Sequence, residues 1–447
     1  MIHLPRAELY LVYYYILNYM NFCLSVEGPL LGDGRRQRAF FFSSNRNLKV
    51  KFFFGPENGV KYVRDSVDVL SYYLETYEAC RKAFLSYKKQ LKSKFERFDY
   101  ECLEIPKDGG ELDVYYLGEK KKPAKRLVIM SSGIHGVEGF AGSAFQRRWI
   151  EEFLLDDKST YKLPKNSDFL ILHGINAHGF KNFLRVNESN VDLNRNFALK
   201  REKLHKKFKN KKYRKIQSFL NPGSEFGNFL FEYIFFIIRF LGVVIRFGAK
   251  YVLDAAVNGQ YEFPKGIYYG GRKPEPVVRV LRKYFKKVLK PYDRILILDF
   301  HTGYGAKNGL SLMHNAEPGS RTDKNLKKVF GDFGLLLNEG EEDFYRTSGD
   351  FTDFFGKILA KEKDLFPITV ELGTFGNLNV MGAIRGSFLM ISENRIRFHG
   401  SKSELEADKV REEFKQMFYP NREDWRLAAM DHVFGIVPEA ITRFSKL

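Results

Sequence analysis

Ile295-Leu296-Ile297-Leu298-Asp299-Phe300-His301-Thr302-Gly303 decides the reading of this chain. Four apolar residues run without a break and give way to Asp, His, Thr and Gly. A short apolar run bounded by turn residues reads as a buried strand. Two further runs end in the same way. Leu127 to Met130 leads to His135-Gly136-Val137-Glu138, and Ile368 to Val370 leads to Glu371-Leu372-Gly373. A fourth polar motif, Val191-Asp192-Leu193-Asn194-Arg195-Asn196, lies between the first two. In an open α/β sheet, ligands bind beyond the carboxyl ends of the strands. One His-x-x-Glu, one later His and one later Glu at such ends meet the needs of a catalytic zinc site. Such a site has three protein ligands, a position for water and a nearby carboxylate as general base.

Working outward, Leu112 to Leu117 and Asp168 to His173 read as further strands. Val67 to about Leu91 reads as a helix, from the spacing of Leu70, Tyr73, Leu74 and Tyr77. Phe145 to Leu155 reads as a helix following the first motif. Strands alternating with helices predict an α/β protein with a mixed, largely parallel twisted sheet covered by helices on both faces. The 447 residues leave room for extensions around one such domain. Residues 1–65 lack a clean period and read as an N-terminal extension. Residues 66–447 read as the catalytic domain, with a basic and apolar insertion near 200–257.

The net charge is +19. Lys200 to Lys215 holds ten Lys or Arg and one Glu, which reads as a solvated face. No DNA- or RNA-binding motif accompanies it, so no nucleic-acid partner is expected. Cys23, Cys80 and Cys102 lack Cys-x-x-Cys spacing, so no thiolate zinc site is indicated, and the sparse, odd count fits a reducing compartment. Leu9 to Ile16 is short for a membrane span and has no clear cleavage site after it. Phe229 to Phe247 is apolar but interrupted by Arg239 and Arg246 one heptad apart, with Glu232 on the same face. That pattern fits a helix packed on the protein or lying on a membrane surface. The expected location is the cytoplasm, with membrane association or export as alternatives. The oligomeric state is open.

The spacing of His135 and Glu138 puts both side chains on one side of a turn. Glycines at 133, 136 and 139 allow the backbone to fold closely around an ion. Taken alone, this is a turn before a helix with a chance His. His301 changes that, delivered at a sheet edge with Asp299 two residues earlier on the same strand face. Asp299 would accept the second imidazole N–H and fix the tautomer of a ligand. A carboxylate at a buried strand end, as at Glu371, is costly unless solvated, paired or near a cation. Arg185, Asn194 and Arg195 lie on an Asn-rich loop, and an arginine there suits a substrate carboxylate or a developing oxyanion. No Gly-x-Ser-x-Gly or P-loop motif is present, so the sequence gives no support to a serine hydrolase or a P-loop enzyme.

The ordered set resembles the zinc carboxypeptidase superfamily, which includes the aspartoacylase and succinylglutamate desuccinylase branch. Within it, the chain is most similar to an uncharacterised bacterial-type metallopeptidase-like branch. The matching stretches are Ser131 to Phe140, Val186 to Phe197, Asn258-Gly259-Gln260-Tyr261, Tyr269-Gly270-Gly271-Arg272 and Asp299 to Gly303. They cover roughly residue 66 to the C-terminus. The resemblance implies a zinc carboxypeptidase-like (phosphorylase/hydrolase-like) fold. It implies one Zn2+ held by His135, Glu138 and His301, with Glu371 as base and Arg185 polarising the scissile carbonyl. Asn194 and Arg195 would bind a substrate carboxylate. Tyr345, in Tyr345-Arg346-Thr347-Ser348-Gly349, would be a mobile tyrosine closing over substrate. The implied activity is hydrolysis of an amide bond next to a free carboxylate, foremost as a metallocarboxypeptidase on peptides. The alternative is an N-acyl amino acid amidohydrolase, since Asp299-Phe300-His301 is closer to the acylase branch. A minor alternative is a non-enzymatic membrane-surface binding protein using residues 229–247.

Overall fold

The computed structural model describes residues 25–30, 36–40, 69–198, 204–333, 335, 349–359, 363–376 and 380–447. The chain divides into two compact units, Met1–Val60 and Lys61–Leu447. In the first, β1 (Ser25–Leu30) and β2 (Arg36–Phe40) pair antiparallel. Leu9 to Ile16, Cys23 and Tyr345 lie outside the described residues.

The second unit is built on a seven-stranded sheet. Its strands are β3 (Arg97–Ile105), β4 (Gly110–Gly118), β5 (Arg126–Ser132), β6 (Ser167–His173), β7 (Arg294–Thr302), β8 (Leu310–Met313) and β9 (Asp364–Leu372). The spatial order is β3-β4-β6-β5-β7-β9-β8. The four central strands, β6-β5-β7-β9, run parallel, and antiparallel pairings complete both sides. The sheet is therefore mixed, with a parallel centre.

Alternation along the strands explains why helices cover both faces. Val128, Met130, Leu296, Leu298, Ile368 and Val370 pack on one face, against Phe145 of α1 (Gly139–Arg148) and the long C-terminal helix Glu423–Lys446. Leu127, Ile129, Ile295 and Ile297 pack on the other, against Val278, Leu281 and Phe285 of the helix Pro276–Val288. Runs apolar at every position are what a strand buried on both faces requires.

Local differences from the sequence reading have physical causes. Val67, where the sequence reading starts a helix, lies outside the described residues, and the described part of that stretch is not one helix. Val69–Tyr72 forms one 3-10 turn, and the helix Tyr77–Ser86 begins after Thr76, whose side chain accepts from the Ala79 amide. That cap fixes the start. Residues 145–155 divide between the end of α1 and the wider π-type turn Trp149–Leu155. β7 lies between β5 and β9, so His301 reaches the site from a central strand and not from a sheet edge.

The connection after β5 leads to β6 on one side, while the chain returns later as β7 on the other. Between β5 and β7 the strand order reverses, which opens a crevice beyond their carboxyl ends. His135 and Glu138 follow β5, and His301 lies near the end of β7.

Candidate metal centre

After Ser132 the chain turns through Gly133 (φ 70°) into a short 3-10 turn, Gly136–Glu138. Gly136 serves the backbone and not an ion. A Cβ there would stand 2.1 Å from the Gly179 carbonyl carbon and 2.2 Å from the Phe180 nitrogen. The two segments touch because the Gly136 and Val137 amides donate to the carbonyls of Arg185 and Leu184. This contact holds the loop carrying Arg185 against the turn carrying His135 and Glu138.

His135, Glu138 and His301 each offer one ligand atom, all within 4.8 Å of one another, and all three residues are buried. His135 Nδ1 is 2.9 Å from Glu138 Oε1, and His301 Nδ1 is 3.0 Å from Glu138 Oε2. Each imidazole turns its other nitrogen to a carboxylate. His301 Nε2 meets Asp299 Oδ2 at 2.6 Å, and His135 Nε2 meets Asp192 Oδ1 at 3.1 Å. Asp299 is itself held by the Ser131 hydroxyl at 2.7 Å, across the β5–β7 register. The two Nδ1 atoms that face Glu138 are therefore the ones a cation would meet, with each Nε2 backed by a further carboxylate. Two imidazoles and a carboxylate, each imidazole backed by a second carboxylate, fit a divalent metal such as zinc.

The electrostatics favour a cation at this point. Burial opposes charge on His301, but Asp299 and then Glu138 outweigh it and hold the imidazole well above its usual range. Burial likewise opposes ionisation of Glu138, yet His135 and His301 keep it well below the usual carboxylate range. Asp192 is also held well below, by Arg185, His135 and Arg195 against its burial.

Glu371 stands beside His301 on β9. No lysine pairs with it among the described residues; its Oε1 accepts the Tyr304 backbone N–H at 2.9 Å. Burial, reinforced by the charge of Glu138, pushes its carboxyl up to about 8. Arg185 reaches the same pocket. It donates to Glu138 Oε1 at 3.1 Å and Asp192 Oδ2 at 3.3 Å, and its Nη2 lies 2.8 Å from His135 Nε2.

The fourth motif is a capped turn. The Asp192 carboxylate accepts the Asn194 amide and starts the 3-10 turn Leu193–Arg195. Asn194 Oδ1 accepts the Phe351 amide, which commits its oxygen to the start of the helix Phe351–Ile358. Arg195 is buried, donates Nη1 to the Asn194 carbonyl, and lies close enough to stabilise charge on Asp192 and Tyr268.

Two residues at the site were missed by sequence reasoning. Asp192 sits inside the Asn-rich run, where a lone Asp reads as a turn former, and it is that as well. Tyr268 adopts a left-handed backbone (φ 54°) and places its ring 5.7 Å from the Arg185 guanidinium. Its only sequence signal is its place before the Tyr269-Gly270-Gly271-Arg272 stretch.

The chain belongs to the family described as "Protein of unknown function (DUF2817)", whose model matches residues 73–432. No curated protein matches it. Solved structures similar to it include bovine thrombin-activatable fibrinolysis inhibitor in complex with tick carboxypeptidase inhibitor, at 15% identity and a TM-score of 0.40, covering 77% of this chain and 99% of that one. Carboxypeptidase A from Helicoverpa armigera matches at 15% identity and TM-score 0.40, covering 76% and 73%. An aspartoacylase family protein from Mesorhizobium loti matches at 14% identity and TM-score 0.32, covering 66% of each chain.

Proposed function

We propose that this chain is a zinc-dependent hydrolase of an amide bond adjacent to a free carboxylate, acting on peptide C-termini as a metallocarboxypeptidase. One observation carries the reading. Two buried imidazoles and Glu138 converge at the strand-order reversal, with Asp192 behind one imidazole and Asp299 behind the other. A structural histidine pair does not need two carboxylates behind it and a third between.

His135, Glu138 and His301 would hold the zinc ion, which supplies Lewis acidity that brings the pKa of water toward ~7. Glu371 is the base. Burial leaves it basic enough to take a proton from the attacking water, and the Tyr304 N–H holds one of its oxygens. The same carboxyl then returns the proton to the leaving amine. Arg185 turns from its carboxylate partners toward the oxyanion as charge develops on the substrate carbonyl. Arg195, with the NH2 of Asn194, anchors the free carboxylate. Tyr345 would close over bound substrate.

The second reading is an N-acyl amino acid amidohydrolase using the same residues, favoured by the Asp299–His301 pair that resembles the acylase branch. Metal analysis of the purified protein, with a panel of peptides and N-acyl amino acids, tests both. Stoichiometric zinc with release of C-terminal residues supports the first. Turnover of N-acyl amino acids alone moves the assignment to the second. Absence of both metal and turnover sinks the hydrolase reading.

A further inference from the structure

We propose that the helix Phe229–Phe247 is a docking face for an anionic lipid bilayer. Leu230, Phe231, Ile234, Phe235, Ile238 and Ile245 are between 44 and 71% exposed. At 100° per residue these six positions fall within an arc of about 140°, a single apolar stripe turned to solvent. The side facing the protein includes a polar residue, Glu232, which is paired with Arg395 on the helix Val380–His399. The helix is seated by Phe236, which stacks on Phe219 at 5.4 Å and lies 5.5 Å from Phe388. A surface helix normally shows water the opposite pattern, and an exposed apolar stripe of this length marks an interaction site.

Charge selects the occupant. Arg246 and Arg239, the latter also bonded to the Ser218 carbonyl, are exposed at one border of the stripe, at the angles where side chains rise to lipid headgroups while their stems stay apolar. Residues 204–257 hold ten Lys or Arg against three acids. Lys211 and Lys215 are exposed on the helix Lys211–Leu220, whose Phe219 packs against this one. Two copies of the chain joined through this face would bring like charges together. An anionic bilayer supplies both the apolar phase and the opposite sign. Among the described residues no helix is long and apolar enough to cross a membrane, so the contact is peripheral.

The test is cosedimentation of the full chain with phosphatidylcholine vesicles, with and without phosphatidylserine. Binding at least about tenfold tighter with phosphatidylserine is expected, weakening with salt. A triple variant, Phe231→Asp, Ile238→Asp and Ile245→Asp, changes only exposed positions and should keep the parent melting temperature while losing at least about tenfold in binding. Arg239→Gln with Arg246→Gln should narrow the difference between the two vesicles. Equal binding to both vesicles overturns the proposal, as does a triple variant that binds like the parent. Absence of vesicle binding overturns it as well; a dimer in sedimentation equilibrium that the triple variant abolishes would then assign the face to a second copy.

Discussion

His301 on β7 and Glu371 on β9 are register partners on adjacent parallel strands. The proposed ligand and the proposed base are therefore fixed by the sheet's own hydrogen bonds rather than by a loop. Sites built on strands hold their geometry more closely than sites on loops. Removing the function of one should leave the other in place.

Glu371→Gln should consequently retain the metal and lose about 10²–10⁴-fold in kcat, since only the proton-transfer group is changed. Metal content and steady-state rates on one preparation check this. A rate near that of the parent removes Glu371 from the base role.

Asp299→Asn keeps the shape and the Ser131 contact but removes the charge behind His301. Zinc affinity should fall about 10–100-fold, and Asp192→Asn should act in the same way through His135. Competition with a chromophoric chelator reads both. Unchanged affinity in the two variants would show that the carboxylates do not orient metal ligands.

The anchor assigned to Arg195 predicts a substrate preference. Blocking the substrate's carboxylate as an amide removes the charge-assisted bonds that the Arg195 guanidinium would make to it, at a cost of about 2 kcal/mol or more. Amidated peptides should be cleaved at least ~30-fold more slowly than free acids. Arg195→Lys should relax this preference only in part, because a point charge remains. Equal kcat/KM for free and amidated substrates points to an endopeptidase instead.

His173 gives a pH signature separate from the site. It is buried, stacked on Phe84 and bonded to the Ser143 hydroxyl, and burial lowers its imidazole to about 4. The unfolded chain takes up this proton near pH 6.5 and the folded one only near 4, so acid favours unfolding between those values. The stability concerned is complete above pH 6.5, declines as the pH falls to 4, and is level below, at roughly 3 kcal/mol in all. Denaturant midpoints of metal-free protein and of His173→Gln should diverge in slope across that window. Parallel curves would mean that His173 titrates normally.

What the sequence shows and what it withholds divide along physical lines. Strands buried on both faces are apolar at every position, so Leu127 to Met130 and Ile295 to Leu298 were readable and with them the ends that carry His135 and His301. The helix Phe229–Phe247 was readable in extent but not in orientation. When both sides are apolar, the period does not say which side the protein covers. Asp192 was hidden because its local role, accepting the Asn194 amide, accounts for it fully without the histidine 57 positions earlier. The early helix was misplaced because Tyr72 and Tyr73 are buried as core residues of a turn, giving helical spacing without a helix.

The contact of Gly136 with Gly179 constrains how this protein can change over generations. Gly136 cannot take a side chain unless the opposing segment retreats, since its Cβ meets Gly179 itself, and Gly179 cannot take one without opening its own loop, where a Cβ stands 2.6 Å from the Asn176 amide nitrogen and 2.7 Å from the Val186 carbonyl oxygen. Retreat would carry Arg185 away from Glu138. Descendants that acquire new substrates therefore have little room for single steps within residues 133–139 and 176–186, and variation is freest at positions that do not share this seam.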